Sequence, residues 1–279
     1  MSTNPAAAIT ALEVAVLKSL AEEVAQLRSA VSSLEQKMEM RAQDILLATL
    51  SEHAPVFILD TGKPVAKDSL DHRFPHGTAS DNTRWPRFVA ACERLFGPHL
   101  KFLDLGCAGG GLVLDFALRG HDAMGLEGSD YSLVRQRAEW RTLTHRLMTC
   151  DIAQPFKIRR VNGDAMKFDV ISAWDVLEHI QEADLPILFK NVRDHLAPQG
   201  IFTGTVSTRS ARVAPDGANY HATVRPKTWW LDAFAASGLE FRVPDPFEFE
   251  DYPRGNGNNY PANFKTQPDT GFHFSLTCT

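Results

Sequence analysis

The segment Lys101-Phe-Leu-Asp-Leu-Gly-Cys-Ala-Gly-Gly-Gly111 sets an acid, Asp104, near the end of a short apolar run and follows it with a glycine-rich turn. Small residues at such a turn let a bulky ligand touch the backbone, and the amides that open the next helix face outward. A second acid, Glu127 in Ala123-Met-Gly-Leu-Glu, stands 21 residues after Gly106, where it can accept hydrogen bonds from two ribose hydroxyls. A third, Asp151, follows the next strand. Acids at three consecutive strand C-termini line the crevice in which open α/β sheets bind ligands. A dinucleotide turn reads G-x-G-x-x-G and leaves room for a pyrophosphate, which an adjacent carboxylate would repel. Here Ala108 takes the second glycine position and Asp104 lies two residues ahead of Gly106. An acid there suits a cation, so S-adenosylmethionine is favoured over NAD.

Taken together, Asp104-x-Gly106-x-Ala108-x-Gly110, Glu127, Asp151 and Phe168-Asp-Val-Ile-Ser-Ala-Trp-Asp-Val-Leu-Glu-His-Ile180 resemble the motifs of class I S-adenosylmethionine-dependent methyltransferases, over about residues 99–279. The resemblance implies an α/β, Rossmann-like, seven-stranded sheet, mostly parallel, with an antiparallel last strand. It also implies that Asp104 holds the methionine amino group, Gly106 to Gly110 the ligand backbone, Glu127 the ribose and Asp151 the adenine amino group. Cys107, Ala108, Gly128, Ile152 and Trp174 complete the expected cofactor set. The competing readings are an NAD-dependent oxidoreductase and a scaffold that binds the cofactor without turnover.

Methyl transfer from a sulfonium requires mainly that nucleophile, carbon and sulfur be held in line. A hydroxyl acceptor has a high pKa and benefits from a base or a bound metal. Asp175, Glu178 and His179 follow the fourth strand of the alternating pattern, and a helical turn begun at Asp175 would put all three on one face. His221, in Asn219-Tyr-His-Ala, could approach the same spot and is the leading base, with Asp175 and His179 as its catalytic companions. Asp175, Glu178, His179 and His221 could also form a divalent-metal cluster. The simpler reading, adopted here, gives Glu178 and His179 structural hydrogen bonds and requires no metal. Upstream, Asp71 to Arg84 is dense in donors, with His72 and His76 among them, and suits a lid over cofactor and acceptor.

The fourth-strand motif lacks the Asp/Asn-Pro-Pro-aromatic signature of amino-group DNA methyltransferases. The formal charge of -5 includes no basic stripe: residues 1–50 hold 4 basic and 6 acidic side chains, the remainder 25 and 28. Nucleic acid is therefore not the expected partner. The acceptor is expected to be a sugar, glycan or other small polar molecule bearing a hydroxyl, as in the methyltransferases of bacterial surface-polysaccharide or natural-product pathways that the chain resembles.

These residues need elements to position them. From Lys101 onward, apolar strands and helical stretches alternate: strands at 101–105, 122–126, 146–150, 168–173 and 200–206, and helices at 111–119, 131–142, 184–196 and 226–237. Such alternation builds a parallel sheet covered on both faces. Two final strands near 240–249 and 272–278, with no helix between them, are expected to pair antiparallel. The polar connection Asp251 to Gly271 reads as a surface flap. Before the sheet, Leu17, Leu20, Val24, Leu27, Val31, Leu34 and Met38 recur at alternating steps of three and four, a heptad seam. The expected organisation is a coiled-coil helix over 1–50 that oligomerises through residues 9–48 as a parallel dimer or trimer, a polar lid and helix over 51–98, and a catalytic domain over 99–279. No cationic segment followed by an apolar run reads as a signal peptide or membrane span, and Cys92, Cys107, Cys150 and Cys278 lie too far apart for a C-x-x-C pair. A cytoplasmic protein with reduced cysteines is expected.

Overall fold

The computed structural model describes residues 17–35, 37, 38, 41, 57–210, 213–258 and 262–279. The chain divides into two compact units, Met1–Thr49 and Leu50–Thr279. In the first, helix α1 runs over 17–35, with residues 37, 38 and 41 also helical. Every seam residue from Leu17 to Met38 is between 46% and 71% exposed, so α1 carries an apolar stripe that its own unit does not cover. Residues 9–16 and 42–48 of the expected oligomerisation segment lie outside the described residues.

Among its described residues the second unit has nine strands: β1 Phe57–Thr61, β2 Lys101–Leu105, β3 Asp122–Glu127, β4 Leu147–Thr149, β5 Phe156–Arg160, β6 Phe168–Trp174, β7 Leu196–Ser207, β8 Leu239–Phe241 and β9 Gly271–Cys278. Seven form one sheet in the order β4-β3-β2-β6-β7-β9-β8. Neighbours from β4 to β7 pair parallel, whereas β9 inserts antiparallel between β7 and β8. Helices α2 Pro86–Phe96, α3 Gly111–Leu118, α4 Leu185–His195 and α5 Lys227–Ala236 cover the two faces.

The period-two alternation of the strands sorts the core. Leu103, Leu105, Met124, Leu126, Ile171 and Ala173 share one buried cluster with Leu188, Phe189 and Val192 of α4 and Trp230 and Phe234 of α5. Their chain neighbours face the other way, where Phe102 stacks on Phe116 of α3 at 3.8 Å and Trp174 meets Phe88 of α2 edge-on at 5.1 Å. Asp104 shares that second face with Phe102. The middle strand β6 and its neighbour β7 approach closely at Gly204, where a Cβ would overlap the Ala173 carbonyl oxygen. Gly204→Ala is expected to destabilise the protein by roughly 1–3 kcal/mol through overpacking. Urea unfolding with an unchanged midpoint would contradict this.

The structure departs from the sequence reading in four places. The stretch 131–142 is not one helix but a turn, Tyr131–Val134, and a 3-10 turn, Ala138–Arg141, with positive φ at Gln136 and Ala138 between them. Tertiary hydrogen bonds override its propensity: Arg137 donates to the carbonyls of Thr78 and Asp81, the Glu139 N–H to Gly109 O, and Trp140 Nε1 to Ala108 O at 2.7 Å. The strand expected near 240–249 is confined to β8. An unforeseen two-stranded antiparallel sheet joins β1 to β5. Finally, in the 251–271 connection, expected as a surface flap, residues 251–253, 255, 256, 262 and 264 are buried, while 257, 258 and 265–269 are exposed. Asp251 is 2% exposed and receives hydrogen bonds from Arg87 and Arg94, Tyr252 stacks on His273 at 4.0 Å, and the Phe264 ring fills the space beside Gly255 and Gly271. The polarity of the buried part is satisfied internally, so it can be withdrawn from water.

Cys92, Cys107 and Cys150 are buried and unpaired, and Cys278 is exposed. Among the described residues no helix is long and apolar enough to cross a membrane.

Candidate active site

Asp104, one residue before the end of β2, pairs in register with Ser172 of β6, whose hydroxyl donates to Asp104 Oδ1 at 2.6 Å. The carboxyl is 4% exposed, and burial raises its pKa to about 7. The turn that follows is built from left-handed residues: φ is +73° at Gly106, +46° at Ala108 and +87° at Gly110. A Cβ on Gly106 would sit 2.5 Å from Val176 Cγ2, so close approach as well as φ demands glycine there. Ala108 tolerates the strained conformation because both its backbone groups are held. Its N–H donates to Glu127 Oε2 at 2.8 Å and its carbonyl accepts Trp140 Nε1. Gly125 of β3 makes room for the turn, since a Cβ there would lie 2.7 Å from Cys107 Sγ.

Glu127 ends β3 and is also buried, with its pKa raised to about 7 by desolvation. It binds the Ala108 and Ser129 amides, at 2.8 and 3.1 Å. A carboxylate offers about four acceptor positions, so further donors can be received. Asp151 follows β4, half-buried, and its Oδ1 accepts the Ala153 amide at 3.1 Å. Ile152 packs in the core cluster, whereas Trp174 lines the crevice with its Nε1 buried and lacking a hydrogen bond.

The segment between β1 and α2 runs across these strand ends. Lys63 O accepts the Asp151 amide, Ala66 N–H donates to Gly128 O, Thr78 O accepts Ser132 Oγ, and Asp81 O accepts the Gly109 amide. Asp71 organises the segment by accepting the amides of His76, Gly77 and Thr78 at 2.7–2.8 Å. His76 lies against the Tyr220 ring at 5.5 Å, and His72 Nδ1 is 3.6 Å from Asp130. The second cover comes from the 251–258 stretch: Arg254 reaches Asp81 at 2.7 Å and Asp175 at 3.6 Å. Asp81, Thr83, Asp104, Gly106, Trp174 and Arg254 line the cavity left beneath, about 20 Å³, space for a single water.

Around the expected catalytic set the backbone differs from the helical turn expected. Asp175 has φ +54° and its Oδ1 accepts the Thr205 hydroxyl at 2.7 Å, so the turn starts only at Leu177–His179. Glu178 points inward, 0% exposed, and its Oε1 accepts the Ser207 amide at 2.9 Å. His179 and His221 meet edge-on at 5.0 Å. Burial, followed by the neighbouring His221, lowers the pKa of His179 to about 4, and burial also lowers that of His221. His221 Nδ1 lies 2.6 Å from Arg209 O, a carbonyl that can only accept. The proton therefore sits on Nδ1, and Nε2 keeps a lone pair. Among the described residues no three His, Cys, Asp or Glu side chains assemble as metal ligands, and Asp175, Glu178, His179 and His221 form no such cluster. The inward turn of Glu178 is the reason.

The donor set fits an adenosyl sulfonium amino acid. Burial disfavours the charge on Asp104, and a cation would restore it; Glu127 can accept hydroxyl donors. The sequence reading held Asp81 only as part of the expected lid and missed Arg254, because a polar, glycine-rich stretch reads as solvated loop. The signal lay in Tyr252 and Phe264, aromatic anchors on either side of the arginine.

The chain matches the family described as a methyltransferase domain over residues 76–250. No curated protein matches it. Among solved structures it is similar to a TehB-like SAM-dependent methyltransferase from Corynebacterium glutamicum, with 16% identity, TM-score 0.46, 73% of this chain and 92% of that one covered. An S-adenosylmethionine-dependent methyltransferase from Clostridium acetobutylicum gives 15%, 0.48, 71% and 92%. The CcbJ methyltransferase from Streptomyces caelestis gives 12%, 0.48, 78% and 100%.

Proposed function

As the chain belongs to the methyltransferase-domain family and is an S-adenosylmethionine-dependent methyltransferase, we propose that it methylates a hydroxyl of a small polar acceptor, a sugar or similar polyol, with His221 as the base. When bound, S-adenosylmethionine supplies an electrophilic methyl group on a positively charged sulfur. Asp104, with Gly106, Cys107, Ala108 and Gly110, takes its amino-acid end; Glu127 and Gly128 take the ribose; Asp151, Ile152 and Trp174 complete the site. The observation that carries the hydroxyl assignment is the tautomer of His221. Its Nδ1–H is committed to Arg209 O, which leaves Nε2 as a neutral acceptor for a hydroxyl proton. The lowered pKa keeps that nitrogen unprotonated at neutral pH. His179 and Asp175 position the ring and balance the proton it gains.

The test is methyl transfer from radiolabelled S-adenosylmethionine to a panel of saccharides and amines, with the linkage of the product identified by mass spectrometry. An O-methyl product is expected. Label found only on nitrogen would overturn the hydroxyl reading, and cofactor binding without turnover on any acceptor would favour the scaffold.

The exposed stripe of α1 supports assembly with a second copy. In the heptad frame Leu17, Val24, Val31 and Met38 occupy a and Leu20, Leu27 and Leu34 occupy d, a pattern that favours a parallel two-stranded coil. Glu23 at g and Arg28 at the next e then form a complementary interchain pair. Placing charges in the seam of the full-length chain, Leu20→Glu with Leu27→Glu, is expected to give monomers by light scattering. Retention of the oligomeric mass would remove α1 as the assembly element.

A further inference from the structure

Arg254 is the sole cation among the described residues that line the cavity, where it faces Asp81 and Asp104. Its own position is built rather than incidental. Its carbonyl is held by His273 Nε2 at 2.6 Å, and the next residue, Gly255, turns with φ +71° against the Phe264 ring, its carbonyl accepting the Phe264 amide. His273 in turn stacks on buried Tyr252. The result is a largely buried guanidinium, its side chain 14% exposed, ion-paired with Asp81 at 2.7 Å and 3.6 Å from Asp175. A guanidinium withdrawn from water needs an anion beside it at all times, and its planar fork matches a carboxylate.

An amino acid presents both charges. Inserted between Arg254 and the acids, it leaves no group unpaired: its carboxylate takes the guanidinium, and its ammonium takes Asp81, which the arginine releases, together with Asp104. The resident ion pair and the incoming zwitterion are thus electrostatically equivalent. We propose that Arg254 binds the carboxylate of the cofactor's amino-acid end, the Arg254–Asp81 pair opening to admit it while Asp104 and Asp81 receive the ammonium. The inference rests on the S-adenosylmethionine reading and deepens it by assigning a partner to the carboxylate of that ligand. It also links the two covers to occupancy, since Asp81 belongs to one and Arg254 to the other.

The test compares two ligands that share a nucleoside and differ in the amino-acid end: S-adenosylhomocysteine, which has it, and 5′-methylthioadenosine, which does not. Calorimetric titrations are run on the full-length protein and on its Arg254→Gln and Arg254→Lys variants. Arg254→Gln is expected to weaken S-adenosylhomocysteine by about tenfold or more, as loss of a charge-assisted fork does, and to leave 5′-methylthioadenosine within about twofold. Arg254→Lys, which keeps the charge and loses the fork, is expected to fall between. Unchanged S-adenosylhomocysteine affinity in Arg254→Gln, or an equal change for both ligands, overturns the assignment and reduces Arg254 to a latch. If the unsubstituted protein binds neither ligand, the cofactor reading itself fails, and the Arg254 assignment with it.

Discussion

Replacing His221 by alanine is expected to lower the methyl-transfer rate by about 100-fold or more while leaving cofactor affinity unchanged, the range over which positioned bases act. The residue lies in the segment after β7, against His179, whereas the expected cofactor residues come from β2, β3 and β4, so the two effects separate. The pH profile follows from the direction of the shift. A base whose pKa is lowered stays neutral further into acid, so the rate should hold steady below the ordinary histidine value near 6.5 and decline only beneath the depressed one. Measuring kcat and KM for both proteins across this range checks the assignment. An alanine variant with undiminished kcat removes His221 from the mechanism, and a loss confined to KM makes it a binding residue.

The second large effect is expected at Asp104. Asp104→Asn keeps the shape and the contact with Ser172 but cannot carry charge, and should weaken S-adenosylmethionine by roughly 10- to 100-fold, the worth of a hydrogen bond to a charged group. The dependence on pH is more diagnostic. Before a ligand binds, burial holds the carboxyls of Asp104 and Glu127 at about 7, above their ordinary values of 3.8 and 4.5. The folded chain therefore binds protons that the unfolded chain has released over that interval. The stability these two groups contribute is fully present below their unfolded values and is lost as pH rises through about 7. A cationic ligand reverses the preference by favouring the ionised carboxylate. Its affinity should rise between about pH 5.5 and 7.5 with release of a proton, and Asp104→Asn should flatten the rise. Titrations in buffers of different ionisation enthalpy measure the proton directly. A pH-independent affinity in the unsubstituted protein would contradict the role given to Asp104.

Much of the frame that positions these groups is legible along the chain, for local reasons. Lys101 to Leu105, Asp122 to Leu126 and Phe168 to Ala173 are short runs rich in apolar residues ahead of turn residues, and each reads as a strand without knowledge of its neighbours. Gly106 and Gly110 announce a turn because no other residue takes those backbone angles cheaply. The acids at the strand ends are legible as a set because strand-helix repetition alone brings consecutive C-termini to one edge. The same local logic fails at 131–142, where good helix formers are pulled apart by contacts with Gly109, Thr78 and Ala108, residues distant in sequence. It fails again at 251–256, where Asp251, Arg254 and Asn256 look solvated until their buried partners are seen.

By itself, then, the sequence determined the alternation of strands and helices, the place of an acid, Asp104, at the end of the first strand of the sheet's alternation, and the heptad stripe of α1, all consequences of spacing within a few turns of chain. Only the tertiary structure decided which polar groups are withdrawn from water. It put Glu178 inside rather than in a metal cluster, fixed the tautomer of His221 through Arg209, and carried Arg254 from a late loop to Asp81 and Asp175. The reason is that burial and hydrogen-bond partnership set the charge and reach of an ionisable side chain, and both are properties of neighbours in space that no local spacing encodes.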